Sequence, residues 1–176
     1  MKKFISLVLM CMLCAVTFAG NPIKNLTGKD QLKAMLKNGG TATVEIDWSA
    51  AKFDKTKDLK TTLAGDYDFI VADCVEEFVN GFNEKSKKIK MAANDANAQY
   101  KYVIKVANLD SYYCVMGWFP SWEGKVWGSC QIIDTKNNKA LVSFDIVEAE
   151  DGKDQNKREC YGETFGELGE TIAKLK

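Results

Sequence analysis

Apolar and polar residues alternate from Thr41 to Trp48: Ala42, Val44, Ile46 and Trp48 share one side, Thr43, Glu45 and Asp47 the other. That period of two predicts a half-buried strand. Just before it, Leu32, Met35 and Leu36 fall at helical spacing and Gly39-Gly40 stops the run, so a short helix is expected over 29–37. Residues 20–27 carry no period and read as a lead-in. Farther on, Val71, Cys74, Val75, Phe78, Val79 and Phe82 recur at three and four, the apolar stripe of a helix over about 69–87. Asp68 is placed to cap it, and Lys85, Lys87 and Lys88 suit its C-terminal end. A short strand is expected at Ile89–Ala92 and a loop over 94–99.

The period of two then returns. Tyr100, Tyr102, Ile104 and Val106 make one face of a strand. Segments 111–119 and 124–134 read as a hairpin around Pro120–Glu123, and 139–147 returns after a turn at Lys136-Asn137-Asn138, where Asn tolerates the left-handed conformation. Matching apolar faces puts Cys114 opposite Cys130 and Tyr112 opposite Ile132, with Tyr112 and Trp118 in the core. It also puts Ile132 opposite Val142, Cys130 opposite Phe144 and Gly128 opposite Ile146. The sheet so built has one dry face and one wet face. Residues 148–159 are charged and read as a surface loop. Tyr161, Phe165, Leu168, Ile172 and Leu175 define a last helix, expected to pack on the dry face. The fold class expected is α+β: two layers, a mostly antiparallel sheet with helices on one face. Residues 41–176 form a single domain, behind a lead-in and short helix over 20–40.

The first nineteen residues stand apart. Lys2 and Lys3 precede an apolar run from Phe4 to Val16, and Thr17-Phe18-Ala19 supplies the small residues ahead of Gly20. This is the pattern of a secretory signal peptide, shorter than the roughly 20 residues a membrane span needs. Cys11 follows Met10 and Cys14 follows Leu13, whereas a lipid-modified Cys follows a small residue, so plain cleavage near Ala19 is expected. The mature chain is then periplasmic or secreted, with no transmembrane segment. It has 157 residues (176 − 19), a charge of −2 once Lys2 and Lys3 are gone, and four cysteines: Cys74, Cys114, Cys130 and Cys160.

An even number of cysteines in an exported protein points to disulfides, and inferred geometry favours Cys114–Cys130 and Cys74–Cys160. Buried free thiols are the other reading, since a chain of this length needs no bridge to fold. There is no His anywhere, which removes Ser-His and Cys-His catalysis and the commonest metal ligand. The cysteines lack C-x-x-C spacing, so no metal site is assigned. Carboxylates at Asp47, Asp134, Asp145, Asp151, Asp154 and Glu159 give no reason to choose a catalytic pair, and Arg158 reads as solvated. No catalytic residue, cofactor or nucleic-acid partner is assigned. One cluster stands out: Tyr112, Tyr113, Trp118, Phe119, Trp122 and Trp127 lie within sixteen residues. Strand packing accounts for aromatics of this kind. Exposed Trp122, Trp127, Phe119 and Tyr113 would instead make a binding patch.

Val44-Glu45-Ile46-Asp47-Trp48-Ser49-Ala50-Ala51, the strand Tyr100–Val106, the spacing of Gly128, Ile132, Asp134, Lys139 and Leu141, and the closing segment Phe165–Leu175 resemble a family of small exported Bacteroidota-type envelope proteins of unknown function. The chain departs at Asn137-Asn138, where such proteins often carry Thr-Gly. The resemblance implies an α+β envelope domain and carries no catalytic residue. The sequence therefore reads as a non-catalytic exported domain that binds an envelope protein or glycan through an aromatic hairpin. A carbohydrate-binding or carboxylate-based hydrolytic protein is the alternative.

Overall fold

The computed structural model describes residues 20–116, 119–150 and 153–176. The segment 1–19, expected to be a signal peptide, and the positions Trp118 and Asp151 lie outside the described residues, as do the side chains of Cys114 and Phe119.

The alternating segment at Thr41 forms β2 (Gly40–Asp47), with Ala42 and Val44 buried. Around it the sheet runs β1-β8-β7-β6-β2-β5, with β1 (Ile23–Thr27), β5 (Ile89–Ala92), β6 (Tyr100–Met116), β7 (Phe119–Asp134) and β8 (Lys139–Ala149). β2 pairs in parallel with β5 and β6, and the β6-β7-β8-β1 half is antiparallel. Short strands add to it: β3 (Lys52–Phe53) edges β6, β4 (Lys57–Asp58) pairs with β3, and β9 (Lys153–Asp154) edges β7. The helices are α1 (Lys29–Asn38), α2 (Leu59–Leu63), α3 (Tyr67–Lys85) and α4 (Glu159–Ala173). No helix among the described residues is long and apolar enough to cross a membrane. The fold is α+β, as expected.

Burial of one strand face against the helices supplies the driving force. Ile104, Cys130, Ile132 and Phe144 come from the sheet, Phe78 and Phe82 from α3, and Phe165 and Leu168 from α4; all join one buried cluster. Phe82 meets Tyr102 edge-on, with centroids 5.3 Å apart.

Several expectations need correction. The lead-in is strand β1, with Ile23 opposite Ile146; only Ile23 of its five residues is buried, so no period was visible. β6 is one strand, not two. Its phase changes at a bulge at Ala107, because Val106 opposes Gly128 while Asn108 opposes Trp127. The bulge lets Val106 and Leu109, of opposite parity, both face the core. Pro120–Glu123 is strand and not turn: Met116 opposes Phe119, Tyr113 opposes Trp122 and Cys114 opposes Ser121. Cys130 opposes Ile104 instead. Apolar alternation fits any even slip equally well, so it could not locate the turn. The pairs Ile132–Val142, Cys130–Phe144 and Gly128–Ile146 are as expected. So is the left-handed Asn138, with φ 54°. The loop at 148–159 is shorter than read, since β8 runs to Ala149 and β9 pairs with β7.

The stripe of α3 is split. Cys74, Phe78 and Phe82 are buried together with Ile70, but Val71, Val75 and Val79 are half-exposed and line a groove.

Candidate functional site: the β6–β7 arm

The core face of the sheet outruns its helical cover. Beyond the bulge, Leu109, Ser111, Tyr113 and Val115 of β6 continue that face, opposite Val126, Gly124, Trp122 and Pro120 of β7. Leu109 and Val126 are buried. At the next rung, Ser111 Oγ lies 2.9 Å from Tyr161 Oη at the start of α4. Gly124 lies flush on the same helix: a Cβ there would sit 2.9 Å from the Cys160 carbonyl and drive into Thr164 Oγ1. Past this rung α4 has ended. Tyr113 and Trp122 meet at a tilt with centroids 5.2 Å apart; Trp122 is half-buried against the core cluster, and the Lys157 ammonium lies 4.9 Å from its ring. Tyr113 is 54% exposed and Val115 67%. The result is an apolar ribbon projecting from the body, its last rungs unpaired on both edges among the described residues.

The opposite face of the arm is polar. Tyr112 donates its hydroxyl to Glu123, and Lys125 lies over the Tyr112 ring and pairs with Glu148 (2.6 Å) and Glu150 (2.8 Å). Tyr112 and Tyr113 thus sit on the reverse of their expected faces, because the bulge inverts the phase of β6. Of the expected binding set, Tyr113 and Trp122 come together as one pair. Trp127 is on the wet face, under Lys55, whose ammonium is 5.7 Å from its ring, and it does not join them. The sequence reading missed Val115, Pro120 and Lys157; the bulge parity between Val106 and Leu109 was the signal that could have found them.

The cysteines do not form the expected cross-strand bridge. Cys114 opposes Ser121, and Cys130 is nine residues farther along β7, about 30 Å at 3.4 Å per residue, where a bridge needs Cα atoms within about 7 Å. Cys74, Cys130 and Cys160 are free and buried. Burial pushes all three thiols up, Cys160 to about 12.

The carboxylates weighed as catalytic candidates are turn and surface partners. Asp47 accepts from Ser49 N (2.9 Å), Asp134 from Lys136 N (2.9 Å), Asp145 from Asn25 Nδ2 (2.6 Å), and Asp154 from Asn156 N (2.6 Å). Glu159 accepts from Asn156 Nδ2 (3.0 Å). Arg158 is more than a solvated residue: it stacks on Phe69 at 4.1 Å and pairs with Asp66 at 3.4 Å. No group of three or more metal-ligating side chains occurs among the described residues.

Acids do crowd on the α3–α4 surface. Partial burial, then Glu77, raises the carboxyls of Asp73 and Glu163. A folded-state pKa above the unfolded one means that stability is lost as pH rises through that interval. Both groups therefore oppose folding at pH 7. Asp73→Asn and Glu163→Gln should each raise Tm at pH 7 by a degree or two, and the gain should vanish near pH 3. An equal gain at pH 3 and pH 7 in thermal melts would assign the effect to packing instead.

No family model matches the chain, and no curated protein matches it. Several solved structures are similar. The PelC dodecamer from Paraburkholderia phytofirmans is 15% identical with a TM-score of 0.39, covering 76% of this chain and 89% of that one. A neuraminyllactose-binding hemagglutinin homologue from Helicobacter pylori is 8% identical, with a TM-score of 0.41 over 78% of this chain and 83% of that one. A minor lipoprotein from Acinetobacter baumannii is 14% identical, with a TM-score of 0.33 over 76% and 89%. Likeness this distant carries no function from those proteins to this one.

Proposed function

We propose that the protein is an exported, non-catalytic domain of the cell envelope, of the Bacteroidota-type family it resembles, that docks a protein partner through the end of the β6–β7 arm. One observation carries the reading. The core-facing side of the sheet continues past the start of α4, so Tyr113, Val115 and Pro120 stay exposed, with Trp122 half-buried at the root of the face. A half-buried Trp with an exposed Tyr and Val, next to strand edges that are open beyond Trp122 among the described residues, is what interface hot spots use: apolar area with little entropy to lose, and backbone groups free to pair. Export rests on the signal-peptide pattern of residues 1–19. A protein partner suits the site better than a sugar. The Tyr113 and Trp122 rings meet at 59°, so they offer a wedge and not a flat stacking platform.

The test is site-specific photocrosslinking in the producing cell. A crosslinker at Val115 should give a discrete adduct that one at Val147, exposed on β8, does not. Tyr113→Ser with Pro120→Ser, both exposed, should reduce that adduct by roughly tenfold or more while leaving Tm within a few degrees. Identical patterns from positions 115 and 147 would remove the arm as the docking site. Binding to a glycan array abolished by the same double substitution would replace the protein partner with a carbohydrate.

A further inference from the structure

β2 has an unfinished edge. β5 covers it only from Gly40 to Thr43, whereas β6 follows its other side to Asp47. The chain leaves the sheet at Ala93, held there by Thr43 Oγ1, which donates to the Ala93 carbonyl and accepts from Asp95 N, both at 3.3 Å. From Val44 to Asp47 no strand among the described residues pairs with that side. Beside it lies a groove of about 1130 Å³, walled by α3 and closed at one end by 93–96.

We infer that this groove is a second docking site, which takes an extended basic-apolar peptide segment as an added strand along Val44–Asp47. Three features select that occupant. The unpaired edge offers backbone groups in strand geometry, which an extended chain satisfies. The wall carries Val71, Val75 and Val79, spaced at four residues, about 6 Å apart on a helix. Alternate side chains of a strand are about 6.8 Å apart, so successive apolar residues of an added strand meet successive valines. The lining has four carboxylates, Glu45, Asp68, Glu76 and Asp95, against one ammonium, Lys101, which is already paired with Glu45. Lysine or arginine between the apolar positions completes the match. A second copy of this chain would bring its own carboxylates edge to edge and be repelled. The groove is separate from the arm and shares no residue with it.

The probe is a dye-labelled heptapeptide alternating lysine and valine, with a glutamate-valine counterpart as control. The lysine peptide should bind the purified protein saturably by fluorescence anisotropy and shift the amide resonances of Val44–Asp47. The glutamate peptide should bind roughly tenfold or more weakly. Asp68→Lys with Glu76→Lys should weaken the lysine peptide to a similar degree, and Val75→Arg should block it by filling the groove. Asp68 and Glu76 are exposed on α3 and Val75 is half-buried, and circular dichroism with a thermal melt confirms that each variant folds. The inference is overturned if the lysine peptide fails to saturate, if both peptides bind alike, or if the shifts fall on the arm. Concentration-dependent shifts at Val44–Asp47 without peptide would also overturn it, in favour of a second copy.

Discussion

Gly169→Val should leave the protein largely unfolded at 37 °C, while Gly166→Ala, one turn away on the same helix, should stabilise it. Helices α3 and α4 meet backbone to backbone. A Cβ at Gly169 would press into the Phe78 carbonyl and sit 2.9 Å from Phe82 N, and one at Gly81 would sit 2.8 Å from the Gly166 carbonyl carbon. Neither neighbour is a side-chain tip that can swing aside. Accommodating a valine means separating the helices, which uncovers Phe78, Phe82 and Phe165, all buried now. Overpacking against rigid backbone of this kind should cost more than about 3 kcal/mol, a large part of the 5–15 kcal/mol that holds an ordinary domain together. At Gly166 the nearest atom to a Cβ is the Glu77 carbonyl oxygen at 3.6 Å, an ordinary contact. There alanine should add its helix-propensity advantage of up to about 1 kcal/mol. Urea unfolding of both variants reads the pair of outcomes; a tolerated Gly169→Val would mean that the helices do not pack this closely.

What could be read from the sequence and what could not divide along a physical line. Elements with a strong period were legible: β2 from Ala42, Val44 and Ile46, and α4 from Tyr161, Phe165, Leu168 and Ile172. So was the β7–β8 register from Gly128 to Ile132, where the apolar faces match, although the shift between Ile132 and Ile133 beside the turn was not. The β6–β7 register was not. Pro120 sits in a strand, and apolar residues on both sides of the turn allow many even slips. One bulged residue, Ala107, then exchanged the faces of Tyr112 and Tyr113. Local pattern carries no record of an insertion that only the partner strand reveals.

The candidate site was legible as composition and illegible as geometry. The aromatics around Trp122 were visible as a cluster, but which of them share a face depends on the bulge. That the face goes uncovered depends on where α4 begins, a relation between segments some forty residues apart. The groove was hidden for a related reason. Val71, Val75 and Val79 belong to the same apolar stripe as Cys74 and Phe78; the end of β5 at Ala92 was legible in the sequence, but not its pairing with β2, which is what leaves them half-exposed. Both surfaces arise where one layer of the fold is shorter than the layer it covers.

Alkali should unfold the protein as pH rises from 9 towards 11. Cys74, Cys130 and Cys160 are buried, and burial raises each thiol, Cys160 to about 12. Unfolded, each would titrate near 8.5. Above that pH the unfolded chain has released protons that the folded chain retains, so stability falls as pH rises. Each such group contributes about 1.4 kcal/mol per pH unit, and three together about 4 kcal/mol. From pH 9 to pH 11 the loss reaches several kcal/mol, at most about 8, a large part of the stability of an ordinary domain. Tyr102 and Tyr161, raised in the same direction by burial, steepen the fall above pH 10. Urea unfolding at pH 7, 9, 10 and 11 should show the midpoint collapsing between the last two. Cys130→Ala should lower stability at pH 7, because it opens a cavity between Ile104 and Phe144, yet reduce the alkaline slope by about a third. A slope that Cys130→Ala leaves unchanged would mean that this thiol does not carry its share. A disulfide between Cys74 and Cys160, seen as a loss of two hydrogens in intact mass, would instead remove two of the three thiols and most of the slope with them.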